Sequence, residues 1–328
     1  MKAHTPRLQK IVDGPFAAMR AAVLCLSLAM SAMHADATVL PPPVQISAHA
    51  WAWIGPLEGP SKANNGFRMN LGFVVGRDAV LVVDTGYTRE MAEEMVAAIG
   101  RITPLPIRFA VNTNSQPHRH MGNDVFRAAG ASIVASREAA QRMSTEGGEF
   151  ARAIAAALEL TGLPDVPAPP ERMIEPGARL RLDLGGGVTV DVVHFGRGHT
   201  AGGLVVDVSP DRTVFVGDLL YAGRLLALLP DSSVIGWLAG FERLRTLDAA
   251  RFVPGHGQPG PLSAFEIPTL NYLLALKKHM DAAFKAGADP SAAARSFDAR
   301  PWSGLANFAE LAGRNASLAY LESEREGF

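Results

Sequence analysis

Thiols are almost absent from this sequence. Its 328 residues include one cysteine, Cys25, which falls in a stretch that reads as removable. The segment "MRAAVLCLSLAMSAMHADA" opens with Met19-Arg20, runs through an apolar core from Ala21 to Met30 and ends in Ala35-Asp36-Ala37. Basic start, short apolar core and small-x-small end form the pattern of a secretory signal. Residues 1–37 are therefore predicted to be a signal peptide, with Met19 a better initiator than Met1 and cleavage after Ala37. Leu24 ahead of Cys25 argues against a lipoprotein signal. The apolar run is too short to span a bilayer, so no stable membrane insertion is expected after cleavage. The expected location is periplasmic or secreted. Without Cys25 the mature chain can form no disulfide and offer no thiolate to a metal. Any metal must take His, Asp, Glu, Asn or Gln.

Charge of one sign is also lacking. The net charge is −1 and no run of Lys or Arg occurs, which gives no footing for nucleic acid. No short-period repeat or low-complexity tract is present. What remains is ordinary globular composition, 48% hydrophobic and 19% charged, long enough for one large or two small domains. Residues 38–328 are read as one domain with a helical C-terminal region from about 262.

Short β-branched runs mark strands: "GFVVG" (72–76) and "AVLVVDTG" (79–86) as a hairpin, then "IRFAVNT" (107–113), "ASIVAS" (131–136), "GVTVDVVHF" (187–195), "GLVVDVS" (203–209), "TVFVGD" (213–218) and "RFVPGHG" (251–257). Met91, Met95 and Ile99 recur at helical spacing. Residues 137–160 and 234–247 read as helices, and the Pro-rich segment 161–172 as a surface linker. The halves echo each other weakly, each with a hairpin that ends in a small-residue turn bearing an aspartate, Asp84 or Asp218. Two strand groups flanked by helices predict an α+β fold, a four-layer αββα sandwich with one sheet from each half. Loops at one edge of such a sandwich converge between the sheets.

The polar residues at strand ends are where chemistry would sit. They are Asp84 in "DTG", the loop "NTNSQPHRHMGN", His199 in "GRGHTAGG", Asp218 in "VGD" and His256 in "PGHG". Singly, an aspartate in a turn caps backbone amides and a histidine is usually a satisfied surface residue. In this order, among glycines that let the chain turn sharply, they point to one site.

The series "GFVVGRDAVLVVDTG", the "NT" loop, "GRGHTAGG", "VFVGDLL" and "FVPGHG" resembles the metallo-β-lactamase superfamily of hydrolases, over about residues 64–257. The longer context "NTNSQPHRHMGNDVF", with "GDLLYAGRLLALLPDSSVIGWLAGFERL", is similar to a periplasmic, SoxH-like branch, the quinoprotein relay system zinc metallohydrolases. The resemblance implies the αββα sandwich with a zinc site between its sheets, and a functional link to a quinoprotein dehydrogenase. The family's H-x-H-x-D-H motif falls on residues 114–119. Its first two histidines are here Asn114 and Gln116, its aspartate His118 and its last histidine Arg119. The remaining ligands correspond to His199, Asp218 and His256.

Asn114 and Gln116 are neutral oxygen donors and poor zinc ligands, and Arg119 cannot coordinate because it has no free lone pair. The residues that remain predict one zinc on His118, Asp218 and His256, with His199 as a fourth ligand or proton relay. A catalytic zinc needs three protein ligands and an open place for water. Arg119 has two candidate roles: holding an anionic substrate group or oxyanion in place of a metal charge, or a salt bridge to Asp84 or Asp218. Asp84 is expected to orient the metal loop by hydrogen bonds. Asn114, Gln116, His120 and Thr200 are expected to surround the ligands, with His120 itself a ligand if the loop is shifted. His194 reads as supporting or core, and Asn64, Asn65 and Phe67 as lining the mouth.

Three functions follow as expectations. The first is a secreted zinc hydrolase of a small-molecule ester, thioester or lactone, accessory to quinoprotein-linked oxidation. The second is a β-lactamase. The third is a non-catalytic member that binds a metal or an anion.

Overall fold

Alternation along the strands decides the layering. Phe73, Val80 and Val82 point into one apolar cluster, and their neighbours Val74, Leu81 and Val83 into another. Val190, Val192, Val206 and Phe215 join the second cluster, while Val193, Val205, Val214 and Val216 point into a third. Strands apolar on both faces must be covered on both, and a side-chain period of 2 sends successive residues to opposite layers.

The computed structural model describes residues 39–327, together with Met1. The predicted signal peptide and Cys25 lie outside the described residues. The first sheet has seven strands in chain order: β1 (Val44–Gln45), β2 (Ala50–Trp53), β3 (Leu71–Val75), β4 (Val80–Val83), β5 (Ile107–Val111), β6 (Ser132–Ser136) and β7 (Arg172–Ile174). Pairing is antiparallel from β1 to β4 and parallel from β4 to β7. The second sheet comprises β8 (Arg179–Asp183), β9 (Thr189–Gly196), β10 (Gly203–Ser209), β11 (Thr213–Tyr221) and β12 (Arg251–His256) in the order β12-β11-β10-β9-β8. Only β11 and β12 are parallel there.

Parallel neighbours need crossover helices. Helix α1 (Arg89–Ile102) is capped by Thr88, whose side chain accepts from the Met91 amide, and it buries Met91, Met95 and Ile99 against the first sheet. Next come α2 (Pro117–His120), α3 (Asn123–Ala128) and α4 (Arg137–Leu158). On the far side, α5 (Val234–Leu244), α6 (Tyr272–Lys285), α7 (Pro290–Ser296) and α8 (Phe308–Glu326) cover the outer face of the second sheet. The result is the expected αββα sandwich, with the apolar seam between the two sheets as its centre. Among the described residues no helix is long and apolar enough to cross a membrane.

The differences from the sequence reading have local causes. β1, β2, β7 and β8 were not predicted: they are short, or, like "RLRLD" of β8, carry charges on exposed positions. The polar loop 114–120 contains one helical turn, α2, which begins at Pro117, where proline's fixed φ is favourable and its missing N–H costs nothing. β11 continues past Asp218 to Tyr221 through register shifts, so Asp218 lies within a bulged strand instead of in a turn.

The C-terminal helices also brace the segment after β11. Asn315, fully buried, accepts from the Leu228 amide at 2.8 Å and donates to the Leu226 carbonyl at 2.7 Å. Glu322 receives the Val234 amide and the Ser233 hydroxyl at the start of α5, where a carboxylate also meets the positive end of the helix dipole. Replacing Asn315 by Leu orphans two buried backbone groups and is expected to cost about 2–4 kcal/mol. Urea unfolding checks this, and an unchanged midpoint would refute the bracing role.

Candidate metal centre

The candidate site forms where loops from both sheets meet. The Asp84 amide bonds the Val111 carbonyl at 2.8 Å, and the Leu204 amide of the second sheet bonds the Thr113 carbonyl at 2.8 Å. Asp84 adopts a left-handed φ of 61°, uncommon for a residue with a side chain. That geometry lets its carboxylate take the Thr113 amide at 2.7 Å, the Thr113 hydroxyl at 2.9 Å and Arg119 Nη1 at 3.0 Å. Asp84 thus orients the loop, as its position predicted.

A second network holds α2 in place. The Arg119 carbonyl accepts from Asn112 Nδ2 at 2.8 Å and from the Thr85 amide at 3.0 Å, and Asn123 bonds both Asn112 and Thr85. This gives the "GN" after the motif a physical role. Gly122 lies so close to the Thr85 carbonyl that a Cβ would stand 2.1 Å from its oxygen. Asn123 ties the returning chain to the end of β5.

Arg119 is completely buried. Its Nη2 and Nε reach the two oxygens of Asp218 at 2.7 and 3.1 Å, its Nη1 reaches Asp84, and the carbonyls of Asn70 and Gly255 accept the remaining bonds at 2.9 and 3.2 Å. Of the two candidate roles, the salt bridge holds, and it engages both carboxylates. With every nitrogen engaged, the guanidinium has nothing left for substrate. Gly255 makes this approach possible: a Cβ there would lie 2.3 Å from Asp218 Oδ1.

Around Asp218 stand the two histidines expected as its partners. His118 Nε2 is 3.6 Å from Oδ2, and His256 Nε2 is 3.3 Å from Oδ1. One ligand atom from each of the three residues lies within 4.8 Å of the others, all buried. His256 Nδ1 faces the Arg68 carbonyl at 2.8 Å and so carries the proton, which leaves the Nε2 lone pair facing a carboxylate oxygen. His118 Nε2 is buried without a hydrogen-bond partner. Such lone pairs and an orphaned nitrogen suit a cation placed among them. Asp218 Oδ2 is filled by Arg119 and by Asn114 Nδ2 at 2.8 Å, leaving Oδ1 a free lone pair. The donor set, two imidazoles and one carboxylate oxygen, therefore fits a single divalent metal.

The electrostatics agree. Burial lowers the pKa of both histidines, that of His118 well below its usual value with help from Arg119, and that of His256 to about 3. Both are therefore neutral, as ligands must be. Burial alone would raise Asp218, but the Arg119 guanidinium beside it holds it well below the carboxylate range. Asp84, by contrast, is pushed up by burial to about 6.

The other predicted residues sort out clearly. His199 stands outside the three-donor group: its Nδ1 faces the Ala227 carbonyl at 2.9 Å and its Nε2 the Gln116 side chain at 2.7 Å. This differs from the expected fourth ligand, because Gln116 takes up the nitrogen that would coordinate. His120 is no ligand of the group either. Its Nδ1 bonds the Gln116 carbonyl at 2.9 Å and its ring meets Phe150 edge-on. Thr200 is buried with an unpartnered hydroxyl. His194 is buried in β9 and pairs with Glu138 at 3.1 Å. The mouth residues need correction: Asn64 closes its own turn through Ser61, Gly59 and Gly66, and Phe67 is core. Asn65 instead lines a separate cavity of about 570 Å³ with Tyr87, Leu158 and Leu163.

Sequence reasoning missed Asn70, Arg68, Tyr221 and Trp237. Asn70 ties β12 to the first half through the Pro254 and Gly257 carbonyls. Tyr221 stacks on His256 at 5.1 Å, and Trp237 meets His199 edge-on at 5.3 Å. None has a motif spacing that would single it out.

Residues 66–256 match the family model of the metallo-β-lactamase superfamily. Among solved structures, the chain is similar to a metallo-β-lactamase from Pontibacter korlensis, with 21% identity and a TM-score of 0.55, over 71% of this chain and 98% of that one. It is also similar to a metallo-β-lactamase from Hirschia baltica, with 19% identity and a TM-score of 0.52, over 70% and 96%. At these identities the structural likeness speaks for the fold alone.

Two measurements test the electrostatic reading. Arg119→Met leaves two buried carboxylates without their counter-charge and is expected to cost about 3–5 kcal/mol in chemical denaturation. A loss below about 1 kcal/mol, the range of surface pairs, would contradict it. For pH, the folded state keeps His118 and His256 neutral where the unfolded chain protonates them. The unfolded state then binds more protons, so stability falls as pH drops below about 6.5, towards about 3 for His256. The depressed Asp218 acts in the same direction. Metal-free protein whose melting temperature stays flat from neutrality to pH 4 would refute it.

Proposed function

The chain belongs to the metallo-β-lactamase superfamily, and on that premise we propose that it is a hydrolase that uses one zinc ion, held by His118, Asp218 and His256, on a small ester, thioester or lactone. The observation that carries the proposal is the buried triangle of donor atoms within 4.8 Å, with His118 Nε2 unpartnered. When bound, the ion would supply an activated water and polarise a carbonyl oxygen.

The chain's own residues account for a single ion. In the half of the motif that would hold another metal, Asn114 donates to Asp218 and the Gln116 side chain meets His199. Hydrogen bonds occupy what would be lone-pair positions. Arg119 and Asn114 hold Asp218 ionised and fixed in direction. His199, kept neutral by burial, shares its Nε2 with Gln116 at 2.7 Å and would receive and return a proton there once that bond opens. Secretion to the periplasm and service to a quinoprotein dehydrogenase are part of the same proposal. They rest on the N-terminal pattern of residues 1–37 and on the likeness of "NTNSQPHRHMGNDVF" to the SoxH-like branch.

One observation favours a non-catalytic member: Arg119 already neutralises Asp218, so the acid has a counter-charge without a metal. Metal analysis separates the two readings. The purified chain is expected to hold close to one zinc, His118→Ala and His256→Ala to hold under about a tenth of an equivalent, and His199→Ala to keep its metal while losing turnover. Wild-type protein that takes up no added zinc would establish the non-catalytic reading. Turnover of nitrocefin by the zinc-loaded chain would favour a β-lactamase.

A further inference from the structure

Arginine is the one side chain that cannot give up its charge on burial. Among the described residues two arginines are almost wholly buried, Arg119 at 0% exposure and Arg224 at 3%, and they are treated in opposite ways. Arg119 meets two carboxylates and two carbonyls. Arg224 meets none: its Nε and Nη1 are buried without a hydrogen-bond partner, and no ion pair to it exists among the described residues. Arg68, partly buried, has an unpartnered buried Nε as well.

Both belong to the surroundings of the metal triangle. The Arg68 carbonyl accepts from His256 Nδ1 at 2.8 Å. Arg224 follows Tyr221, which stacks on His256. Its backbone is pinned by the β-bridge to Ala306, with the Leu225 and Ala306 amides bonding at 3.0 Å on either side. Burial and then the neighbouring Arg224 charge lower the pKa of Arg68, and both guanidiniums work against the burial that raises the Tyr221 hydroxyl. Two carboxylates, Asp84 and Asp218, are already engaged by Arg119, so the region is positive before any metal is added. A fold that buries a charge and leaves its donors empty sets that cost against a ligand. An arginine fork fits the paired oxygens of an oxyanion better than it fits any neutral group.

We propose that Arg68 and Arg224 form a clamp for an oxyanion, a carboxylate, phosphate or sulfate group carried by the molecule that the site acts on. That this molecule is a substrate rests on the hydrolase reading; the binding of the anion does not. The clamp makes the substrate an anionic ester, thioester or lactone, held by its charged end beside His256 while its carbonyl faces the triangle.

Sodium sulfate, a weak ligand for zinc, is the probe. Calorimetric titration into the purified chain, with its metal and again after chelation, is expected to show one saturable site each time. Arg224→Met and Arg68→Gln are each expected to weaken it at least about tenfold. Arg224→Met should also melt higher than wild type in sulfate-free buffer, because an unpaired buried charge is gone. Should that variant fail to fold, Arg68→Gln carries the test, since Arg68 is the less buried of the two. Absence of saturable binding to wild type, equal affinity in the variants, or binding that vanishes on chelation would each overturn the clamp. A pair of p-nitrophenyl esters, the neutral acetate and the anionic succinate monoester, keeps the two ideas apart. If neither is hydrolysed, the hydrolase reading falls and the sulfate result still decides the clamp. If both are hydrolysed with equal kcat/KM, the clamp plays no part in choosing substrate and the proposal is overturned.

Discussion

A fully buried guanidinium joins the two halves of this fold. Arg119, on one short helical turn, binds Asp84 from the first sheet and Asp218 from the second. Neither acid could stay ionised in so dry a place without it, and the guanidinium could not be buried without them. The rest of the centre is arranged around this triad. Asp84 takes a left-handed backbone to present its carboxylate, Gly255 gives up its side chain to let Asp218 and Arg119 meet, and the Asn112–Asn123–Thr85 network fixes the carbonyl of Arg119 itself.

That constraint shapes the chemistry open to the site. A carboxylate whose Oδ2 is filled by Arg119 and Asn114 keeps a lone pair only on Oδ1, which faces His256 Nε2 at 3.3 Å, with the unpartnered His118 Nε2 close by. Asn114 and Gln116, placed where the family's motif has histidines, spend their amides on Asp218 and on His199. Among the described residues one group of three metal-binding side chains remains, His118, Asp218 and His256. Arg119 is fully paired, whereas buried nitrogens of Arg68 and Arg224 have no partner.

Much of this was legible in the chain. Alternating apolar strands and helical spacings gave the αββα layering, because side-chain periods of 2 and 3.6 are local properties. His118, Asp218 and His256 were singled out through the likeness to the family's motifs, and the fold brings one donor atom of each within 4.8 Å of the others. His199 was read as a fourth ligand or a proton relay because its position after "GRG" matches the family's pattern, yet the residue that engages its Nε2, Gln116, comes from 83 residues earlier. Asn64 and Phe67 were assigned to the mouth for their place before the first hairpin, where turn closure and core packing claim them instead.

The sequence by itself determined the layers and the near-absence of thiols, one cysteine in 328 residues, since these depend on local periodicity and on composition. Only the tertiary structure decided that Arg119 spends its charge on Asp84 and Asp218 while Arg224 spends its own on nothing. Each is a single arginine in its own stretch, "PHRHM" and "AGRLL". Whether such a charge is answered depends on side chains tens to a hundred residues away, brought within 3 Å by the closing of two sheets.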